Sequence, residues 1–304
     1  MLGAIMKLAL KDYLGTLRVP FLLLNLSCVA LGAGCTFWRK GSINWIDALL
    51  ALVGAVCAHA SVNSLNEYSD FHTGVDSRTI RTPFSGGSGT LQRHPEMAGY
   101  ALGIGLACAA VTAAIGIYFA IACGWGILPV GILGLATVSL YTPWLTRRPL
   151  PCLVAPGLGF GTCMVIGTDV VLGGGYSTAA FAASMVPFFL VSNLLLLNQF
   201  PDVVADRAGG RKNFLIVHGI RFGAVVYTLF LAGTYISVLV AVIARILPPL
   251  SLLALLTVPL AVRASIGALR DGEDVGRLKP ALGMNVLINL LTPLLLAFGL
   301  FLSR

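Results

Sequence analysis

Charge is what this chain has least of. Its 20 Lys and Arg and 12 Asp and Glu make up 11% of 304 residues, whereas 57% are hydrophobic. A soluble domain carries about 25% charged residues, and less than half of that leaves too little polar surface to coat a water-facing body. A soluble enzyme, a disordered tail and a fibrous chain are thereby excluded. The seven cysteines (Cys28, Cys35, Cys57, Cys108, Cys123, Cys152, Cys163) contain no CxxC pair and lie mostly in apolar runs. There a thiol behaves as a small hydrophobe, which argues against a disulfide scaffold or a zinc site. Gly103/Gly105 and Gly157/Gly159/Gly161 follow no strand, so they suit close helix packing better than a dinucleotide fingerprint. Met1 to Arg18 holds Lys7, Lys11, Asp12 and Arg18 and reads as a retained interfacial segment, not a cleaved signal.

What the chain does have is apolar runs about as long as a bilayer core is thick. They fall at Val19–Trp38, Trp45–Leu65, Met97–Ala122, Ile127–Tyr141, Leu153–Leu172, Thr178–Leu197, Phe222–Ala244, Ile246–Leu269 and Ala281–Leu302. Open sheet edges cannot satisfy their backbone in hydrocarbon, so nine transmembrane helices are expected. With the N-terminus cytoplasmic and the C-terminus outside, 16 of the 20 basic residues fall on inner segments and only Arg39, Lys40, Arg245 and Arg304 on outer ones. That is the positive-inside pattern, and gaining or losing one span midway would scramble it. The net charge of +8 is therefore an orientation signal, and no nucleic-acid partner is needed. The expected setting is a bacterial or archaeal inner membrane.

The acidic residues sort inward too; Asp47 and Asp169 are the exceptions. Gathering carboxylates on a face already bordered by anionic lipid costs energy, and a bound cation would offset it. Two polar loops hold half of the inner ones. The first runs Asn66-Glu67-Tyr68-Ser-Asp70-Phe-His72-Thr-Gly74-Val-Asp76, and the second Asn198-Gln-Phe-Pro-Asp202-Val-Val-Ala-Asp206, with Arg211 and Lys212 close behind. Each places Asn four residues before Asp. On a continuing helix, Asn66 sits above Asp70, and Asn198, Asp202 and Asp206 line one stripe. Gly74 permits a turn after which Asp76 can rejoin Asp70. Like charges one turn apart destabilise a helix, but Mg²⁺ reverses the sign, because it takes carboxylate and phosphate oxygens. Arg and Lys beside both stripes supply the cations that phosphate requires.

Asn66-x-Tyr68-x-Asp70-x-x-x-Gly74-x-Asp76, paired with Asn198-x-x-x-Asp202-x-x-x-Asp206, resembles the twin Asp-rich motifs of the UbiA superfamily of intramembrane prenyltransferases. The Tyr and the Gly-x-Asp ending are closest to its MenA-like branch. The likeness extends over the whole chain in span number and loop placement. The chain departs from the family at Glu67, where Asp is usual; the extra methylene changes that carboxylate's reach. Tyr141-Thr-Pro-Trp144-Leu-Thr-Arg147-Arg148 is similar to the family's Tyr-plus-basic element, and Arg18-Val-Pro20 to its N-terminal Arg element.

The resemblance implies an all-α membrane protein with nine helices around a central lipid-open cavity, capped by polar cytoplasmic loops. It would form one domain over 1–304, with pseudo-repeated halves bearing the motif loops 63–94 and 198–213. The implied reaction transfers a polyprenyl group from its diphosphate to an aromatic acceptor, with Mg²⁺ as cofactor. Asn66, Asp70, Asp76, Asn198, Asp202 and Asp206 would hold the metal. Arg78, Arg147, Arg148, Arg211 and Lys212 would join both Asn residues around the diphosphate. Tyr68, Tyr141 or Trp144 would face the allylic cation. Arg18 and Tyr68 would meet the acceptor, and Glu67, Asp70 or Asp76 would take its phenolic proton. The MenA-like branch implies 1,4-dihydroxy-2-naphthoate as acceptor and a menaquinone precursor as product; hydroxybenzoate, homogentisate and tetrapyrrole acceptors stay open. Membrane lipid is the surroundings, and no obligatory protein partner is evident. A secondary transporter is the rival from another class, but its ionisable residues should lie near mid-span, whereas these cluster at the inner span ends.

Overall fold

The computed structural model describes residues 10–74, 82 and 86–304. Among them every regular element is helical. Eight segments are long and apolar enough to cross a membrane: α1 (Val19–Lys40), α2 (Trp45–Thr73), α3 (Pro95–Cys123), α5 (Pro149–Gly173), α6 (Thr178–Asn198), α7 (Ile220–Ile243), α8 (Pro249–Asp271) and α9 (Val275–Leu302). The ninth expected segment, α4 (Trp125–Tyr141), is apolar but shorter. A short helix at Leu10–Gly15 precedes α1.

The ends of these helices follow from local chemistry. Asn44 caps α2 by accepting from the Ile46 and Asp47 amides, and Ser177 does the same for α6 through Ala180; each satisfies N–H groups that a first turn leaves without partners. Gly74 ends α2 at φ 71°, a left-handed backbone that suits glycine. The helix thus runs past the apolar limit at Leu65 and carries Asn66 through Asp70 as its last turns.

Packing places α2 along α3, α5 against α6, and α1 against both α5 and α9, while α7 and α9 close on the far side of α6. The middle of α5 is a π-helix over Leu158–Val165. Glycine makes the α5–α6 contact possible. A Cβ at Gly157 would stand 2.1 Å from the Phe188 carbonyl oxygen, and one at Gly161 2.3 Å from the Phe188 nitrogen. Close approach of backbones through small residues is how helices gain dispersion contacts in lipid.

Polar bonds add to that packing. Asn193 Nδ2 donates to the Tyr227 carbonyl (2.8 Å), Tyr227 Oη donates to Asn285 Oδ1 (3.1 Å), and Asn285 Nδ2 donates back to the Asn193 carbonyl (3.4 Å). This ring of bonds joins α6, α7 and α9. Outward-facing Leu49, Ile117, Ile132, Phe181, Leu229, Ile236 and Ile243 are exposed, as a lipid-facing belt requires. At the end remote from the acidic loops, buried Asp169 accepts from Thr36 Oγ1 (2.8 Å), Arg39 Nη2 (2.8 Å) and Ser177 Oγ (2.6 Å). That clamp accounts for one of the two acids that sort outward.

Candidate active site

A cavity of about 380 Å³ lies among α1 to α6, and its wall is mostly apolar. None of its lining comes from α7, α8 or α9; α7 packs on α6, α9 on α1 and α6, and α8 on α7 and α9, as a buttress. One end of the cavity is polar. Asn66 and Asp70 arrive there from α2, Tyr141 from α4 and Asn198 from α6, and Asp202, Asp206 and Arg211 from the loop that follows. The two motifs, more than 120 positions apart in the chain, thus converge on one mouth.

The second motif is not the continuous helix that its spacing suggests. Helix α6 stops at Asn198, a turn follows, and Asp202 begins a separate short helix, Val203–Ala208. Pro201 is the reason: its ring clashes with a preceding helical carbonyl and it has no N–H to donate. The three side chains nonetheless face the cavity together, and the Asp206 amide still donates to the Asp202 carbonyl at 2.8 Å.

Arg211 organises this mouth. Its guanidinium bridges Asp70 of the first motif and Asp206 of the second; the bond from Nη1 to Asp206 Oδ1 is 2.7 Å. Asn213 Nδ2 donates to the other Asp206 oxygen at 2.7 Å. Burial works against the guanidinium's charge, but Asp70 and Asp206 hold it above its ordinary range. Burial raises Asp206 as well, with Arg211 pulling it back down. At Asp202 burial and the neighbouring Asp206 push the carboxyl up to about 7, against Arg211, Arg18 and the Gly86 amide that bonds to it.

Two acceptors at the mouth have no hydrogen-bond donor among the described residues, Asn198 Oδ1 and Asp202 Oδ1. An orphaned buried acceptor costs about 1–3 kcal/mol, and a hard cation would satisfy both. The donors are all oxygen, the set Mg²⁺ selects. No three Asp, Glu, His or Cys side chains gather into a ready ion site among the described residues, and Arg211 bridges Asp70 and Asp206. The residues fit Mg²⁺ once that guanidinium moves aside.

Other expected residues are distributed differently. Asp76 and Arg78 lie outside the described residues. Tyr68 turns away from the cavity, two positions round the helix from Asn66, and packs near Leu91, Met97 and the His72 ring. Arg147 and Arg148 are exposed, since Leu145–Arg147 forms a 3₁₀ turn that leads outward. Arg148 lies over the Trp144 ring at 4.3 Å, so neither Trp144 nor these arginines lines the cavity. Lys212 is exposed too and contributes only its amide, to the Thr146 carbonyl. Glu67 is fully buried and its oxygens are taken by Arg18 and Ser88. Sequence reasoning missed Asn213, whose position one residue before Phe214 marks it as a helix cap, and Thr142, which receives the Asn66 amide at 3.4 Å.

The sequence model of the UbiA prenyltransferase family matches residues 25–287. The chain is 26% identical over 267 residues to a 1,4-dihydroxy-2-naphthoate octaprenyltransferase of Bacillus subtilis (strain 168), covering 85% of this chain and 83% of that one. A solved apo structure of a UbiA homolog from Aeropyrum pernix K1 superposes with TM-score 0.72 at 17% identity, covering 93% and 98% of the two chains. A UbiA homolog from Archaeoglobus fulgidus, solved bound to GPP and Mg²⁺, gives TM-score 0.64 at 17% identity over 95% and 99%. The chain therefore belongs to the UbiA prenyltransferase family and is a multi-pass integral membrane polyprenyltransferase.

Proposed function

We propose that this protein moves a polyprenyl group from its diphosphate to 1,4-dihydroxy-2-naphthoate, in a Mg²⁺-dependent reaction at the mouth built by the two motifs. The observation that carries this reading is the convergence of Asn66 and Asp70 with Asn198, Asp202 and Asp206 at the polar end of an apolar cavity. The acceptor follows the Bacillus subtilis relative.

Breaking the allylic C–O bond separates a diphosphate anion from a delocalised carbocation, and in hydrocarbon that separation is prohibitive. Asn66, Asp70, Asp76, Asn198, Asp202 and Asp206 hold the metal, which when bound neutralises the leaving group. Arg211 exchanges its two carboxylates for the diphosphate oxygens, joined from the first loop by Arg78. Tyr141, at the cavity wall, presents its ring to the forming cation, an attraction of about 0.5–2 kcal/mol. Arg18, which also lines the cavity, takes the acceptor's carboxylate. Asp70 or Asp76 receives the phenolic proton. The apolar walls keep water from quenching the cation.

Incubation of purified protein with Mg²⁺, geranylgeranyl diphosphate and a panel of aromatic acceptors, with products identified by mass, tests the reading. Prenylated naphthoate-derived product is expected. Turnover confined to hydroxybenzoate, homogentisate or a tetrapyrrole would reassign the acceptor, and no product with any acceptor would overturn the reaction.

A further inference from the structure

Glu67 stands inside the first motif, yet it does not line the cavity. It is one residue from Asn66, about 100° round the helix, and it is fully buried. Oε1 accepts from Arg18 Nε at 2.8 Å and from the Ser88 amide at 2.7 Å, and Oε2 accepts from Ser88 Oγ at 2.9 Å. A carboxylate committed to one guanidinium and two loop donors has little left for a metal ion.

Of the two residues that it holds, Arg18 belongs to the cavity wall and Ser88 adjoins it. Arg18 lines the cavity and reaches Asn66 Oδ1 at 3.5 Å. Its backbone is left-handed, at φ 51°, a conformation that costs a non-glycine residue about 1–3 kcal/mol and persists only where the surroundings impose it. Ser88 follows Gly86 and Gly87, which line the same mouth, and the Gly86 amide bonds to Asp202. The segment before α1 is further laid on α2 by Asn63 Nδ2 to the Leu17 carbonyl (2.9 Å) and Ser64 Oγ to the Thr16 carbonyl (3.4 Å). One carboxylate therefore fixes the acceptor-side cation and, through Ser88, the backbone that touches the second carboxylate stripe.

We propose that Glu67 is a positioning residue: it aims Arg18 at the carboxylate of the aromatic acceptor and pins Gly86–Ser88 across the mouth, and it takes no part in metal ligation. The longer side chain is what this role needs, because Asp at this position would fall about one methylene short of Ser88 and Arg18. The proposal rests on the reading of Arg18 as the acceptor's anion site.

Glu67→Gln and Glu67→Asp, with Arg18→Lys as the partner variant, test it in the full-length enzyme. Retention of folded protein is checked by size exclusion in detergent. KM for 1,4-dihydroxy-2-naphthoate should rise about tenfold or more in Glu67→Gln and Glu67→Asp, the scale of one charge-assisted hydrogen bond. KM for 1,4-dihydroxynaphthalene, which lacks the carboxylate, should stay within about twofold. Arg18→Lys combined with Glu67→Gln should cost less than the sum of the two, since each breaks the same fork. Thermal stabilisation by Mg²⁺ with geranylgeranyl S-thiolodiphosphate should match the wild type. Loss of that stabilisation with unchanged acceptor KM would overturn the proposal and make Glu67 a metal ligand. Equal losses for both acceptors, or additive variants, would overturn it as well. Absence of prenyl transfer in the wild type would instead strike the parent reading.

Discussion

At the scale of single residues, the mouth of the cavity is a problem of opposed charges in which Arg211 bridges the carboxylates of the two motifs. Removing the charge of either stripe should abolish the reaction. Asp70→Asn and Asp202→Asn are each expected to lower kcat by about 10²–10³ or more, the magnitude for one lost electrostatic contact to a developing charge, while folded protein remains in the membrane. Turnover retained in both would remove the metal clamp. Asp202 also sets a pH dependence. Its carboxyl ionises near 3.8 in an exposed setting but only near 7 in the fold. The fold thus favours the neutral form, and this contribution to stability is lost as pH rises from about 3.8 to about 7. A cation that binds only the carboxylate has the opposite preference. Half-saturating Mg²⁺ should therefore rise by up to about tenfold per unit below pH 7, and calorimetry should find a proton released on binding at pH 6. A flat Mg²⁺ dependence from pH 6 to 8 would count against Asp202 as a ligand.

At the scale of elements, the sequence exposes what repeats and hides what interrupts. The apolar runs locate all nine helical segments, most to within a few residues, because length and hydropathy decide what can cross a bilayer; α2 runs on to Thr73 and α9 begins early, at Val275. The motif on α2 is legible for the same reason, as a helix continuing to the glycine that stops it. The break after Asn198 was signalled by Pro201, whose effect the Asn-to-Asp spacing masked. Nothing in the residue pattern announces that Glu67 turns to Ser88, since that depends on where a loop some twenty residues away lies. Gly161→Val tests the packing of α5 on α6. Its side chain would collide with the backbone at Phe188, and overpacking of this kind costs about 1–3 kcal/mol, so the thermal midpoint in detergent should fall. An unchanged midpoint would mean that α5 and α6 do not meet there. Gly103, with open space around it, is the control in which Gly103→Ala should leave the midpoint unmoved.

At the scale of the whole molecule, six segments enclose the chamber and three brace it. The site sits where α2 ends and α1 begins. The C-terminal Arg304 lies at the other end of α1, its Nη1 3.5 Å from the Trp38 carbonyl. The nine-span expectation calls for an odd number of crossings, as the sorting of basic residues does. Cysteine or reporter tags at the two termini should accordingly report opposite faces of the membrane, with the N-terminal one cytoplasmic. Labelling of both from one side would refute nine crossings and separate the acidic loops from the face where the diphosphate is expected.

The proposed reaction requires that residues 66–70 and 198–206 join around one ion-bound diphosphate. Crystals of the protein grown with Mn²⁺ and geranylgeranyl S-thiolodiphosphate, measured at the manganese absorption edge, interrogate that joining directly. The expected anomalous peaks lie between the Asn66/Asp70 pair and the Asn198/Asp202 pair, with Arg211 withdrawn from Asp70 onto the diphosphate. Manganese bound to one stripe alone, or an Arg211 still bridging Asp70 and Asp206 with the diphosphate in place, would contradict it.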